Sequence, residues 1–201
     1  MSRYPKLSPD EMTPAQREVA AEIAAGPRGE VRGPFLALIH NAELARRIQQ
    51  LGEFLRFRSK LPQRLLELAV LITARRWTCQ FEWVMHEQFA RKAGLAEHII
   101  QAIGKATMPE NMDKEQSLVH AFCLQAHING QVDDATFAAA KDLFGLDGVL
   151  ELLALNGYYS MMAMILNTSG IALPEGTKPP LAPLWRGFGP ATSTPFRRAI
   201  S

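Results

Sequence analysis

Helical periodicity runs through almost the whole chain and constrains its fold more than any other feature. One segment carries Leu44, Ile48, Leu51 and Leu55 at spacings of four, three and four residues, with charged residues on the opposite face. No segment alternates apolar and polar residues over the length of a strand with turn residues at both ends. The sequence therefore predicts an all-α, multi-helical fold.

Capping residues mark where several of these helices begin. Thr13 and Gln16 form a capping box with Pro14 at the first helical position, and Asp113 and Gln116 form a second box. Together with the apolar periodicity, these signals predict helices that begin after Thr13, Asn41, Pro62 and Thr78, and further helices over residues 96–103, 114–128, 134–144 and 148–168.

Proline sets the C-terminal end of the chain apart. We predict a single all-helical domain over residues 1–169 and a proline- and glycine-rich arm over residues 170–201, in which no long helix can form. Trp185, Phe188 and Phe196 are large apolar residues in this arm. They indicate that the arm lies across a protein surface, and we favour the surface of a neighbouring subunit over that of its own domain.

Composition narrows the class of protein. A chain of 201 residues, 47% apolar and 21% charged, is typical of a globular domain, and its net charge of +2 gives no reason to expect a nucleic-acid partner. Its two cysteines, Cys79 and Cys123, do not make a disulfide framework, and the N-terminus lacks the apolar core of a signal peptide. Polar residues interrupt the apolar run over residues 146–166, which favours a buried helix over a membrane span. We expect a cytoplasmic protein without membrane partners.

Three polar side chains share one stripe of the helix predicted after Thr78. At 100° per residue, Glu82 lies about 60° and His86 about 20° from Cys79 around the helix axis. Glu67, on the preceding helix, can approach the same stripe. Glu82 can orient the imidazole, the first helical turn favours the thiolate of Cys79, and Glu67 can pass protons to solvent. This pattern predicts a site for proton transfer.

Each of these residues also has a structural interpretation. Glu82 and His86 are spaced like an ordinary surface ion pair, Glu67 could bond to Arg75-Arg76, and Cys79 could be a small buried apolar residue. A metal held by two carboxylates and one imidazole would lack a second nearby histidine. We therefore expect neither a metal nor another cofactor.

Residues outside the stripe are weaker candidates for a substrate pocket. Trp83 lies one turn from Cys79 and either lines a pocket or belongs to the core, while Arg75 and Arg76 are candidate anchors for an acid group. The loop over residues 26–34 contains glycines and arginines, but it lacks the Gly-Lys-Ser/Thr ending of a phosphate-binding loop. We interpret it as a connector.

The spacing of the reactive residues resembles that of the alkylhydroperoxidase D and carboxymuconolactone decarboxylase superfamily. In this chain it runs Glu67, twelve residues, Cys79, two residues, Glu82, three residues, His86, and residues 35–104 are similar to the longer members. The resemblance implies an all-helical protein that assembles as a homo-oligomer, a trimer or a hexamer. Its peroxidase branch has a second cysteine where this chain has Glu82, whereas its decarboxylase branch keeps the glutamate and histidine without the cysteine pair.

A short repeat in the sequence suggests an internal duplication. The triplet at residues 66–68, Leu-Glu-Leu, recurs at residues 150–152. The two triplets are 84 residues apart. At the same offset, Ala163, Leu166 and Gly170 correspond to Cys79, Glu82 and His86, so only the first copy would hold reactive groups.

The decarboxylase branch therefore fits the site residues best. It predicts acid–base chemistry by His86 and a glutamate on a small anionic or carbonyl-bearing substrate, in a decarboxylation or related lyase step. His86 or Glu67 would protonate the enolate. The alternatives are a thiol peroxidase with peroxiredoxin activity, which would use Cys79 with an external thiol, and a non-catalytic binding scaffold.

Overall fold

The computed structural model describes residues 2–184. This part of the chain contains eight helices, joined by loops, and no strand. The all-α prediction is confirmed. The helices are α1 (Pro14–Ala25), α2 (Phe35–Leu38), α3 (Ala42–Phe57), α4 (Gln63–Arg76), α5 (Gln80–Lys92), α6 (Glu97–Gly104), α7 (Lys114–Asn129) and α8 (Asp134–Ser169).

Side-chain caps begin α1, α3 and α7 where the sequence predicts them. The backbone N–H of Gln16 donates to Thr13, and the backbone N–H of Thr13 donates back to the Gln16 side chain. The same reciprocal pair joins Asp113 and Gln116, while Asn41 accepts from the third residue of α3. These bonds satisfy backbone donors that the first turn of a helix leaves free.

Two boundaries differ from the prediction. Thr78 has a φ of 46°, in the left-handed region, so it belongs to the turn after α4, and Cys79 takes the N-cap position of α5. The helices predicted over residues 134–144 and 148–168 are the two arms of α8, which is kinked at Gly145 (φ 72°, ψ 172°). A glycine is suited to this kink because it adopts positive φ without steric cost.

Helix α4 lies at the centre of the fold. It packs against α5, α6, α7 and α8, and every residue from Leu65 to Arg75 is buried. Glu67 is therefore held in the core, with none of its surface exposed. A carboxylate in such a position destabilises the fold unless other groups hydrogen-bond to it, so its partners define the site.

Helix α8 is long and apolar enough to cross a membrane if length and composition alone are considered, and half of its most apolar window is buried inside the fold. Core helices of soluble proteins pass the same test. Its contacts with α4 and α7 are those of a core helix. The cytoplasmic location stays a prediction.

The described part of the C-terminal arm lies against α4 and α5 of its own chain. Leu181 is buried in the core, and its backbone N–H and carbonyl both bond to the side chain of Gln80, at 2.9 and 2.7 Å. Arg75 donates to the carbonyl of Ala182 at 2.8 Å. Trp185, Phe188 and Phe196 lie outside the described residues, so the surface they cover and the division at residue 169 stay predictions.

The backbone does not repeat the turn that an internal duplication would place in α8. The chain turns at Thr78 between α4 and α5, whereas α8 continues as helix through Ala163 to Ser169. The duplication itself stays a prediction.

Candidate active site

Helices α4 and α5 bring Glu67, Glu82 and His86 together. Atom Nδ1 of His86 lies 2.7 Å from Oε2 of Glu67, and Nε2 lies 3.3 Å from Oε2 of Glu82. All three residues are buried, with exposed fractions of 3% for His86, 0% for Glu67 and 5% for Glu82. The imidazole is therefore held between two carboxylates, so the interpretation of Glu82 and His86 as a surface ion pair is wrong.

The two glutamates favour the protonated form of His86. Burial alone lowers the pKa of His86, but the nearby carboxylates of Glu67 and Glu82 outweigh burial, so that the pKa is raised above its ordinary value of 6.5. Because an ionised carboxylate only accepts hydrogen bonds, the imidazolium can donate to a glutamate from each nitrogen. His86 is thus a proton source poised for use near neutral pH.

Glu67 is held on both of its oxygens. Oε2 accepts from His86, and Oε1 accepts from Nε2 of Gln63 at 2.9 Å. The predicted alternative, a bond from Glu67 to Arg75-Arg76, is wrong. Because Glu67 has no exposed surface, it does not exchange protons directly with solvent, and it orients the histidine ring instead.

Glu67, Glu82 and His86 form a proton-transfer group, and Cys79 lies in different, apolar surroundings. It has no exposed surface and packs in an apolar cluster with Ala163 and Leu166. Burial, followed by the charge of Glu82, raises the pKa of Cys79 to about 12, and bonds from backbone N–H groups of the first turn of α5 offset only part of this. The expectation that the helix terminus favours a thiolate is wrong, because burial raises the pKa of Cys79 by more than the start of the helix lowers it.

A cavity of about 60 Å³ lies beside His86. Its polar lining consists of two residues of the proton-transfer group, two tyrosines of α8, and three arginines and a glutamate from the N-terminal third of the chain. These residues are Glu82, His86, Tyr158, Tyr159, Arg28, Arg32, Arg56 and Glu30. Neither Glu67 nor Cys79 lines it. Of the four predicted catalytic residues, two therefore face the cavity.

The loop over residues 26–34 forms one wall of the cavity, so it is more than a connector. It contributes Arg28 and Arg32, and Gly33 brings its backbone against the ring of Phe81. Gly33 has a φ of 56°, and a Cβ there would lie 2.8 Å from Cε1 of that ring. Glycine is therefore required for the loop to close against α5.

The predicted substrate-binding residues lie elsewhere. Arg75 bonds to the C-terminal arm at Ala182, Arg76 stacks on Trp77 with 5.9 Å to the ring centroid, and Trp83 is buried in the main core. None of the three predicted residues lines the cavity. Their binding role stays a prediction without support from this geometry.

Arg28, Arg56 and Tyr159 line the cavity but were not predicted from the sequence. A usable signal was present for the tyrosines, because two adjacent phenols in an otherwise apolar helix need polar surroundings. The arginines carried no local signal. The loop and α3 meet α8 only in the folded chain, across about two thirds of the sequence, as the contact between Arg28 and Tyr158 illustrates.

No metal site is evident within residues 2–184. No group of three or more His, Cys, Asp or Glu side chains there has a metal-binding arrangement. Both nitrogens of His86 already face carboxylate oxygens, which leaves no imidazole lone pair free for a cation.

Comparisons with known proteins agree with this fold. Residues 42–122 match the sequence model of the carboxymuconolactone decarboxylase family. A crystal structure from Ralstonia eutropha JMP134, described as an alkylhydroperoxidase AhpD core and an uncharacterized peroxidase-related protein, has a TM-score of 0.70 at 18% identity, covering 87% of this chain and 93% of that one. No curated protein matches the chain. The resemblance is thus confirmed: residues 42–122 match the carboxymuconolactone decarboxylase family model, and the chain has an all-α fold similar to that of the alkylhydroperoxidase AhpD core.

Proposed function

We propose that this protein is an acid–base enzyme of the carboxymuconolactone decarboxylase type. Its substrate is a small organic anion with a carbonyl group, and its reaction is a decarboxylation or a related lyase step. The observation that carries the proposal is the imidazole of His86, which is held between two buried carboxylates and lines a small cavity. The family match over residues 42–122 supports a function of the carboxymuconolactone decarboxylase or alkylhydroperoxidase D type, and the geometry around His86 favours acid–base chemistry within that range.

Decarboxylation would use the group in a single proton transfer. The carbon–carbon bond to the carboxylate breaks, carbon dioxide leaves, and the bonding electron pair remains on the substrate as an enolate. A proton from the His86 imidazolium, passed directly or through the Glu82 carboxylate that contacts it, then forms the new carbon–hydrogen bond. The enzyme recovers this proton from water. Such a positioned acid contributes on the order of 10²–10⁴ to the rate.

Glu67 acts in this scheme as a positioning residue. It bonds to His86 and Gln63 and does not line the cavity, so it touches no substrate. Its charge helps to keep the imidazole protonated, and its bond to Nδ1 holds the ring with Nε2 against Glu82, a residue that lines the cavity.

A thiol peroxidase is the second candidate, and the surroundings of Cys79 argue against it. With a pKa raised to about 12, on the order of one thiol in 10⁵ would be ionised at pH 7. Cys79 also lacks a second cysteine to pair with. Position 82 holds a glutamate, and Cys123 is buried beside Asn156 on other helices. A non-catalytic scaffold is the third candidate, which the experiment below separates from both.

Two assays on four proteins test the proposal. The first measures carbon dioxide release from carboxymuconolactone, and the second measures peroxide consumption with dithiothreitol as the reductant. The wild type is compared with His86→Gln, Cys79→Ala and the control His98→Gln, which removes an exposed histidine of α6.

We expect carbon dioxide release to fall by about 10²–10⁴ in His86→Gln and to remain in Cys79→Ala and His98→Gln. Peroxide consumption that disappears in Cys79→Ala, without any carbon dioxide release, would establish the peroxidase instead. No activity in either assay would leave the scaffold as the better description.

A further inference from the structure

Two arginines in the cavity wall have no carboxylate partner among residues 2–184. Arg32, the third, pairs with Glu30 at 3.2 Å. Arg28 instead stacks over the ring of Phe35, at 4.8 Å from the centroid, and Arg56 stacks over Phe89 at 5.1 Å. Stacking fixes the plane of a guanidinium while leaving its N–H donors available to an anion.

Tyr159 also lines this cavity and has an unused hydrogen-bond donor. Its side chain is buried, with an exposed fraction of 2%, and within the described residues its hydroxyl has no hydrogen-bond partner. The Nε atom of Arg28 is also buried and unpartnered. Buried donors are paired in nearly all folded proteins, so two unpaired donors on one cavity indicate a ligand that accepts from both.

Tyr159 is also adjacent to the proton-transfer group. Its ring packs against the imidazole of His86 in an edge-to-face arrangement, with 5.0 Å between centroids and an interplanar angle of 84°. An acceptor bound to its hydroxyl would therefore lie close to the atoms that move the proton.

Formal charges around the cavity select a monoanion. The imidazolium of His86 offsets one of the two carboxylates of Glu67 and Glu82, and the pair formed by Arg32 with Glu30 is neutral. One negative charge of the two glutamates then remains, and Arg28 and Arg56 carry two positive charges. One positive charge stays uncompensated, which a single carboxylate neutralises.

The size of the cavity selects a small ligand. A volume of about 60 Å³ corresponds to roughly four to six water-sized atoms, since one water needs about 10–15 Å³ on this measure. A short keto acid has that number of heavy atoms.

We infer that Arg28, Arg56 and Tyr159 form a subsite for a small monocarboxylate that also carries a carbonyl group. The guanidinium groups bind the carboxylate, and the hydroxyl of Tyr159 donates to the carbonyl oxygen beside His86. The role of this subsite in turnover rests on the proposed function, where the same hydroxyl would stabilise the oxygen of the enolate.

Gly52 of α3 supplies a way to disturb the subsite indirectly. A Cβ at this position would collide with the hydroxyl of Tyr158 and lie 2.5 Å from Nη2 of Arg28. Because Tyr158 also contacts Arg28 at 3.4 Å, the substitution Gly52→Ala should displace the guanidinium without removing any ionisable group from the cavity.

Calorimetric titration of the full chain with pyruvate, and with its uncharged amide pyruvamide, tests this subsite at pH 7. Pyruvate should bind at least tenfold more tightly than pyruvamide. Arg28→Met and Arg56→Met should each weaken pyruvate binding at least tenfold, and Tyr159→Phe and Gly52→Ala should weaken it several-fold. Arg47→Met is the matched control, because Arg47 is exposed and pairs with Glu43 at the surface of α3.

The subsite is refuted if the wild type binds pyruvate no better than pyruvamide, or if the arginine variants bind pyruvate as Arg47→Met does. A variant that fails to fold is replaced by Gly52→Ala and Tyr159→Phe, which carry the same expectation. Binding requires no turnover, so a negative carbon dioxide assay with arginine-dependent binding would reject the proposed reaction and keep the subsite. Turnover with arginine-independent binding would do the reverse.

Discussion

Glu67 contacts His86 without lining the cavity that His86 lines. Its Oε2 lies 2.7 Å from Nδ1, whereas the cavity wall is formed by His86 and Glu82 without Glu67. The buried glutamate can therefore set the charge and orientation of the ring without competing with a substrate. This separation of roles leads to the first prediction.

Replacing Glu67 with glutamine should lower the pKa of His86. The substitution keeps the shape of the side chain but removes the nearest negative charge, so burial regains its influence on the imidazole. Activity that needs the imidazolium should then decline at a lower pH than in the wild type. The measurement is the pH profile of kcat/KM, or the NMR titration of His86. Glu87→Gln, on the same helix, is the control because Glu87 pairs with Arg91 at the surface, and an unshifted profile in Glu67→Gln would contradict this role.

Folding stability should fall as the pH rises above 6.5. The pKa of His86 is raised in the folded protein, so its protonation stabilises the fold fully below the ordinary value of 6.5, and this contribution is lost as the pH rises through the folded pKa. Thermal melts across this range should show a decline in Tm that His86→Gln lacks. An equal decline in both proteins would assign the effect to other groups.

Both cysteines should be inert in the folded protein. Cys79 and Cys123 are fully buried, and burial raises the pKa of each to about 12. A thiol reagent such as dithionitrobenzoate should label neither of them in buffer and both in urea, and Cys79→Ala should cost about 1 kcal/mol of stability. Rapid labelling of one thiol in the native wild type, absent in Cys79→Ala, would show that Cys79 is accessible and revive the peroxidase.

Removing the hydroxyl of Tyr159 should not destabilise the ligand-free protein. This hydroxyl is buried without a partner among residues 2–184, so Tyr159→Phe relieves an unpaired donor and should leave the free energy of unfolding equal or higher by about 1 kcal/mol. Tyr158→Phe is the comparison, since it loses a contact with Arg28. Urea unfolding measures both, and a marked loss of stability in Tyr159→Phe would mean that the hydroxyl is satisfied.

The predicted homo-oligomer has a candidate surface on α8. Leu146, Leu150 and Leu153 lie on one side of this helix with exposed fractions of 58%, 66% and 40%. If a second copy of the chain covers them, Leu150→Lys should reduce the mass measured by light scattering from that of a trimer or hexamer. Met108→Lys, at another exposed apolar position, should not. A wild type that is monomeric would reject the prediction.

Local signals were enough to predict most of the helices. Thr13 and Asp113 mark helix starts through bonds to residues only three positions away, and such bonds depend little on the rest of the fold. The turn at Thr78 was misplaced by one residue because a left-handed threonine is set by the packing of α4 against α5 and leaves no sequence signature.

The site was predictable only where its residues lie close in sequence. Glu82 and His86 share a helix face by spacing alone, and Glu67 was predicted from its place on the preceding helix, twelve residues before Cys79. Arg28 and Tyr159 meet through tertiary contacts, which no local pattern encodes. The reactivity of Cys79 was misjudged because burial is a property of the whole fold, whereas the helix terminus is visible in the sequence.

The bonds between Gln80 and Leu181 give the arm a part in holding the helical domain together. A fragment that ended at Ser169 would lose the buried side chain of Leu181 from the core. It would also leave the Arg75 guanidinium without the carbonyl of Ala182 as its acceptor. The last helix ends at Ser169, but contacts with α4 and α5 reach as far as Ala182, so we expect shortened versions of this protein to need the segment through Ala182.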